Sequence, residues 1–81
     1  MNLPELNIIR NNFVAVVIDG VMVWFSYQTP IAVERDGKLI IRKNEWGTTT
    51  GKHLNAIDGG SRQARKTRVS SEEFVRLVNS L

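Results

Sequence analysis

FVAVVIDGVMVWFSY, residues 13–27, decides the fold. Its two halves are runs of β-branched and aromatic residues, the types that fit a pleated, half-buried strand. Between them stands Asp19-Gly20, a pair that accepts the positive φ angles of a type I′ turn, so the stretch predicts a tight β-hairpin. Further along, Gln28-Thr29-Pro30 breaks the chain without room for a helix, and IAVER (31–35) and KLIIRK (38–43) flank a second Asp-Gly pair at 36 and 37. A second hairpin follows, giving four antiparallel strands in sequential order.

Side chains alternate along a strand, so Val21, Val23 and Phe25 point one way and Met22 and Trp24 the other. The first two strands are therefore apolar on both faces. One face can form the core, and the second must be covered by a terminal helix or by another subunit. The next two strands divide into Ile31, Val33, Leu39 and Ile41 on one side and Glu34, Lys38 and Arg42 on the other.

Upstream, LPELNIIRNN (3–12) predicts a short N-terminal helix: Pro4 suits a first helical position, Glu5 suits the first turn, and Leu6, Ile9 and Leu3 share a side. Downstream, NEWGTTTGKHLNAIDGGS (44–61) carries four glycines and reads as a loop, in which HLNAI makes one helical turn or a short strand. ARKTRVS (64–70) can supply a fifth strand with Thr67 and Val69 inward. At the C-terminus, Ser70 and Glu73 form a capping box, after which Phe74, Val75, Leu77, Val78 and Leu81 recur at helical spacing.

The chain of 81 residues predicts one domain, near the small end of what buries enough apolar surface to fold alone. Its hydrophobic fraction of 42% and charged fraction of 23% are those of a globular protein. No cysteine is present, which excludes disulfides, thiolate nucleophiles and cysteine-based zinc sites and fits a reducing cytoplasm. The longest apolar run, Phe13–Ile18, is six residues. A membrane span needs about 20, and no signal segment opens the chain, so a cytoplasmic location away from membranes is expected.

GTTTGKH (47–53) resembles a phosphate-binding P-loop but has three residues between its glycines and His53 after Lys52. The P-loop requires four residues and a hydroxyl after the lysine, so that reading fails. Catalysis finds no support either. The single histidine has no cysteine partner, Asp19 and Asp36 serve turns, Glu72 and Glu73 a helix start, and Asp58 the Asp-Gly-Gly turn. We expect no enzyme activity, no metal and no cofactor.

Charge is distributed unevenly. Between Arg42 and Arg68 stand seven basic residues and two acids, while the whole chain is +3. Such asymmetry is the footprint of a polyanion-binding surface, although a solvated face kept soluble by its charge gives the same pattern. Trp46, in a polar loop flanked by Lys43 and Lys52, can stack on an unpaired base while the lysines meet phosphates. Thr48, Thr49 and Thr50 add hydroxyls, His53 a hydrogen-bonding ring, and Asn55 a base-reading amide. The alternative is an irregular strand of threonines, with Trp46 closing the end of a barrel. Arg62, Arg65, Lys66 and Arg68 form a second, purely electrostatic candidate, since phosphate contacts position rather than specify.

The run VMVWFSYQTPIAVERDGKLIIRKNEWGTTTGKHLNAIDGG, with its TPIA (29–32) and TTGKHLNAI (49–57) elements, resembles a group of small proteins found mainly in marine environmental sequence and in phages of cyanobacteria. That group is similar in fold to the Sm and Sm-like proteins. The resemblance implies a mainly β chain: a small, bent five-stranded antiparallel Sm-like barrel with short N-terminal and C-terminal helices. It also implies strand pairing into a closed homo-oligomeric ring of about five to seven copies, binding single-stranded nucleic acid, RNA before DNA, in RNA or DNA processing. For a phage-encoded member the location is the host cytoplasm. No Arg-Gly follows an apolar strand where the second Sm signature would place its RNA-contacting loop, so those contact residues do not carry over. The other function class is a structural or adaptor ring that organises protein partners without nucleic acid.

Overall fold

The computed structural model describes residues 4–81, so the expected place of Leu3 lies outside the described residues. In chain order the elements are strands β1 (Glu5–Arg10), β2 (Phe13–Ile18), β3 (Val21–Ser26), β4 (Thr29–Arg35) and β5 (Lys38–Ile41), then helices α1 (Thr48–Asp58), α2 (Arg62–Lys66) and α3 (Ser71–Asn79). The strands form one antiparallel sheet in the order β1-β2-β3-β4-β5. Its two ends remain edges. The sheet is therefore an open meander, and the expected barrel closure is corrected.

Both Asp-Gly pairs make the predicted turns, with φ of 49° and 82° at Asp19-Gly20 and 51° and 80° at Asp36-Gly37. The N-terminal prediction is overturned: residues 5–10 are a strand, not a helix. Leu6 and Ile8 alternate at strand period and stand opposite Val16 and Val14. An isolated helix this short is marginal, whereas the free edge of β2 offers a complete hydrogen-bond ladder. Asn12, at φ 62°, makes the turn between the two strands.

By internal contact the chain divides into two compact units, one ending at Leu39 and one running Ile40–Leu81. In the first, the register stacks Asn7, Ala15, Trp24 and Ala32 in one row, so the large indole has alanines on both neighbouring strands. Phe13, Ala15, Ser26 and Ala32 on this face are buried. The opposite face carries the rows Leu6, Val16, Val23, Val33 and Ile8, Val14, Phe25. It is apolar throughout, and of these seven only Val33 is buried.

The second unit holds Ile40, Ile41, Leu54 and Phe74 in its core, together with Thr50, His53 and Arg68. The expected loop at 44–61 is mostly helix α1. Thr50, His53, Leu54 and Ile57 recur at i, i+3, i+4 and i+7, and this stripe is its inward side. The expected fifth strand at 64–70 is also corrected. Its first part is helix α2, and only Val69 keeps strand character, in a single parallel bridge to Arg42. The C-terminal helix stands as predicted, with the Ser70 hydroxyl accepting from the Glu73 N–H at 3.2 Å. Glu73 does not complete the capping box; its carboxylate takes the Arg76 guanidinium instead, which holds it below the usual carboxylate range.

Candidate nucleic-acid interface

The interface is built on the segment that leaves β5. Val69 donates its N–H to the Ile41 carbonyl at 2.8 Å and accepts the Lys43 N–H at 2.8 Å, which holds residues 41–43 extended. Adjacent side chains in an extended segment point to opposite sides, so Arg42 and Lys43 diverge.

On one side, the Arg42 guanidinium lies over two rings, 4.9 Å from the Trp46 centroid and 5.2 Å from that of Phe74. Its Nη2 donates to Ser71 Oγ at 2.6 Å, and that hydroxyl donates to Glu45 Oε2 at 2.7 Å. Trp46 is thereby a partner of Arg42, with 41% of its surface still exposed.

On the other side lies an open groove of ≈ 650 Å³ lined by Lys43, Gly60, Arg62, Arg65 and Lys66. A neighbouring hollow of ≈ 280 Å³ shares Lys43 and Arg65 and adds Asn44, Gly51, Asn55 and Arg68. Helix α2 aims the cations, because Arg62, Arg65 and Lys66 stand at i, i+3 and i+4 on one face. Ser61 starts the helix by accepting the Ala64 N–H at 3.1 Å, and Arg65 and Lys66 fall in its last turn, where cations suit the helix dipole. Among the described residues the ion pairs are Arg35–Asp36, Arg68–Asp58 and Arg76–Glu73. The four groove cations Lys43, Arg62, Arg65 and Lys66 have no carboxylate partner.

Along the smaller hollow lies a closed cluster. Arg68 donates from Nε to Asp58 Oδ2 and from Nη2 to Asp58 Oδ1, both at 2.8 Å, and from Nη2 to Asn55 Oδ1 at 3.1 Å. Asp58 Oδ1 also accepts the Gly60 N–H at 2.9 Å. The hydrogen bonds from Arg68 hold the Asp58 carboxyl below its ordinary value of 3.8 against a smaller opposing effect of burial, helped by the Gly60 N–H and the Arg68 charge. Gly60 is required here. Its φ is +68°, and a Cβ would lie 2.5 Å from the Asn55 Cγ.

A model of a family of unknown function, DUF8033, matches residues 1–76. The chain belongs to the DUF8033 family. No curated protein and no solved structure matches it.

In this DUF8033 member the residues singled out by sequence fall into five groups. Lys43, Arg62, Arg65 and Lys66 come together in the groove. Thr48, Thr49 and Lys52 lie exposed on α1, outside the groove lining. Thr50 and His53 are buried on the inward stripe of α1, which takes them away from any ligand in the groove. Asn55 and Arg68 touch the smaller hollow, but Asn55 Oδ1 accepts from Arg68 and the Arg68 guanidinium is bound to Asp58. Trp46 is separated from the groove by the turn of side chain between residues 42 and 43. Sequence reading missed Gly60, Asn44 and Asp58 as parts of the site. The signal for Asp58 was the Asp-Gly-Gly run ten residues before Arg68, and for Asn44 there was none.

Among the described residues, no cluster of three His, Asp or Glu side chains is placed to hold a metal, and no helix is long and apolar enough to cross a membrane.

Proposed function

We propose that this chain is a non-catalytic binding protein for single-stranded nucleic acid, whose phosphates occupy the groove of Lys43, Arg62, Arg65 and Lys66. One observation carries the reading: four cations converge on an open groove with no carboxylate to neutralise them. Unpaired cations on a common face gain from releasing counterions off a polyanion, and a groove that tracks a backbone is how single strands are held without sequence preference. Helix α2, at five residues, is too short to act as a reading helix in a duplex major groove. The preference for RNA over DNA, and a role in RNA or DNA processing in the manner of an Sm-like protein, rest on the resemblance of residues 29–32 and 49–57.

The test is a titration of a labelled mixed-sequence single strand against the wild type and a variant with Gln at all four positions. Each single-strand phosphate contact contributes about 0.7 to the log–log salt slope, so four give about 2.8, or roughly a 50-fold loss of affinity for a fourfold rise in salt. The variant should bind weakly, with little salt dependence. A folded variant with wild-type affinity and slope would show that the groove is only a solvated face.

A second reading, a structural or adaptor protein, is favoured by the open apolar face of β1–β3, which nucleic acid does not explain.

A further inference from the structure

We propose that the open apolar face of strands β1–β3 is the interface between two copies of this chain, packed face to face about a two-fold axis. The inference stands apart from the nucleic-acid reading, because none of the groove residues lies in β1–β4.

The face is continuous. Cross-strand register puts Leu6, Val16 and Val23 in one row, Ile8 and Phe25 in the next, and Ile18 at the corner beside Val21. None of these is buried, and Leu6 and Ile8 are 61% and 74% exposed. Isolated exposed aliphatic residues are normal on a protein surface, but a contiguous sheet face of them marks an interaction site.

Three observations choose the occupant. First, charge: the only charged side chain in these rows is Arg35, at the end opposite Ile8, and it is paired to Asp36 at 3.8 Å. A face whose one charge stands at its rim offers little to an acidic or basic partner and is complementary to itself, as a two-fold interface requires. Second, area: the three open strands at about 4.8 Å spacing and six residues at about 3.3 Å give a flat footprint of roughly 300 Å² per copy. The side chains that stand out from it, Leu6 and Ile8 above all, raise the accessible area, which brings two copies toward the ~1,000 Å² at which specific interfaces begin. Third, the competing arrangement is obstructed. A ring built by strand pairing needs two long free sheet edges, yet Val69 takes the end of β5 at Ile41 and the segment after it to Lys43, leaving only Lys38–Ile40 of that edge open. Two such faces stacked about 10 Å apart form an ordinary β-sandwich core.

The experiment is sedimentation equilibrium over a wide concentration range on the full chain. The wild type should pass from 9.2 kDa to twice that mass as concentration rises. Leu6→Lys with Ile8→Lys should weaken association by about a hundredfold, roughly tenfold for each apolar side chain lost from the interface. Asn7→Lys, on the opposite side of β1, should leave association unchanged, with circular dichroism confirming the fold of each variant. Ile18→Lys, at the far corner of the same face, replaces the double variant if β1 fails to pair. A wild type that stays monomeric, a discrete ring of about five to seven copies, or a dimer indifferent to both Lys variants overturns the proposal.

Discussion

Asp58→Ala tests whether the wall of the smaller hollow is held by a buried ion pair. The Asp58 and Arg68 side chains are only 8% and 6% exposed, and the substitution removes two charge-assisted hydrogen bonds of 2.8 Å and the acceptor of the Gly60 N–H. Arg68 would keep only Asn55 Oδ1 among its present partners. Removing one partner of a buried pair costs about 3–5 kcal/mol, because the remaining charge is left in the interior. A chain of 81 residues has a total stability of roughly 4–12 kcal/mol. The variant therefore sits near the edge of unfolding. At about 4–8 °C per kcal/mol for a domain of this size, its midpoint should fall by at least roughly 12 °C. Asp58→Leu combined with Arg68→Met replaces the pair with apolar side chains and should recover most of the loss, since a buried pair is often no better than a packed hydrophobic one. Thermal unfolding followed by circular dichroism reads both. An Asp58→Ala midpoint within a few degrees of wild type would refute the reasoning, as would a double variant no better than the single one.

The same pair sets a pH dependence. The folded carboxyl titrates below its ordinary value of 3.8, so its contribution to stability is present above that value and is lost as pH falls through the folded value. Acid unfolding should thus begin below about pH 4 in the wild type, while the Leu/Met double variant should show a shallower decline there.

Gly60→Ala should lower stability by more than Gly20→Ala. Both positions have positive φ, worth about 1–2 kcal/mol for a residue with a Cβ, but a Cβ at Gly20 meets nothing within 4 Å while one at Gly60 meets Asn55 at 2.5 Å; equal urea midpoints would show that Asn55 yields freely. Trp46→Ala should cost about 0.5–2 kcal/mol of stability through the lost Arg42 contact, and in a Trp24→Phe background Trp46 fluorescence should stay constant as a single strand fills the groove. Quenching on titration would place Trp46 in the binding site after all.

The hairpins were legible because their signals are local. An Asp-Gly pair between β-branched runs specifies a turn by backbone sterics alone, and both turns have the expected angles. β1 reads as a helix in the sequence because its residues suit both patterns: Pro4 and Glu5 fit a first helical turn, while Leu6 and Ile8 alternate only once. What decided between them was the partner strand β2, a non-local fact. Helix α1 was hidden for a different reason. Its inward stripe has correct spacing, but two of its four members are Thr50 and His53, so a hydrophobicity reading saw a polar loop. GTTTGKH is the start of that helix, with Gly47 as its N-cap and Gly51 set where a Cβ would press on Asn44 Nδ2 at 3.0 Å.

The basic segment shows the limit most clearly. Sequence counts seven cations between residues 42 and 68 as equals. The fold does not: Arg42 lies between two rings, Arg68 is neutralised by Asp58, and Lys52 stands on α1 outside the groove lining. Arg62, Arg65 and Lys66 share a helix face, whereas Arg68 follows the Thr67 cap and precedes Val69, whose bridge to Arg42 fixes the chain direction and turns the guanidinium inward. This sorting changes the measurable electrostatics. Seven contacts to a single strand would give a salt slope of about 4.9, and four give about 2.8. A slope near the larger value would require Arg42 to leave Ser71 and its two rings and Arg68 to leave Asp58, and the buried, doubly hydrogen-bonded geometry of the Arg68–Asp58 pair opposes the second exchange.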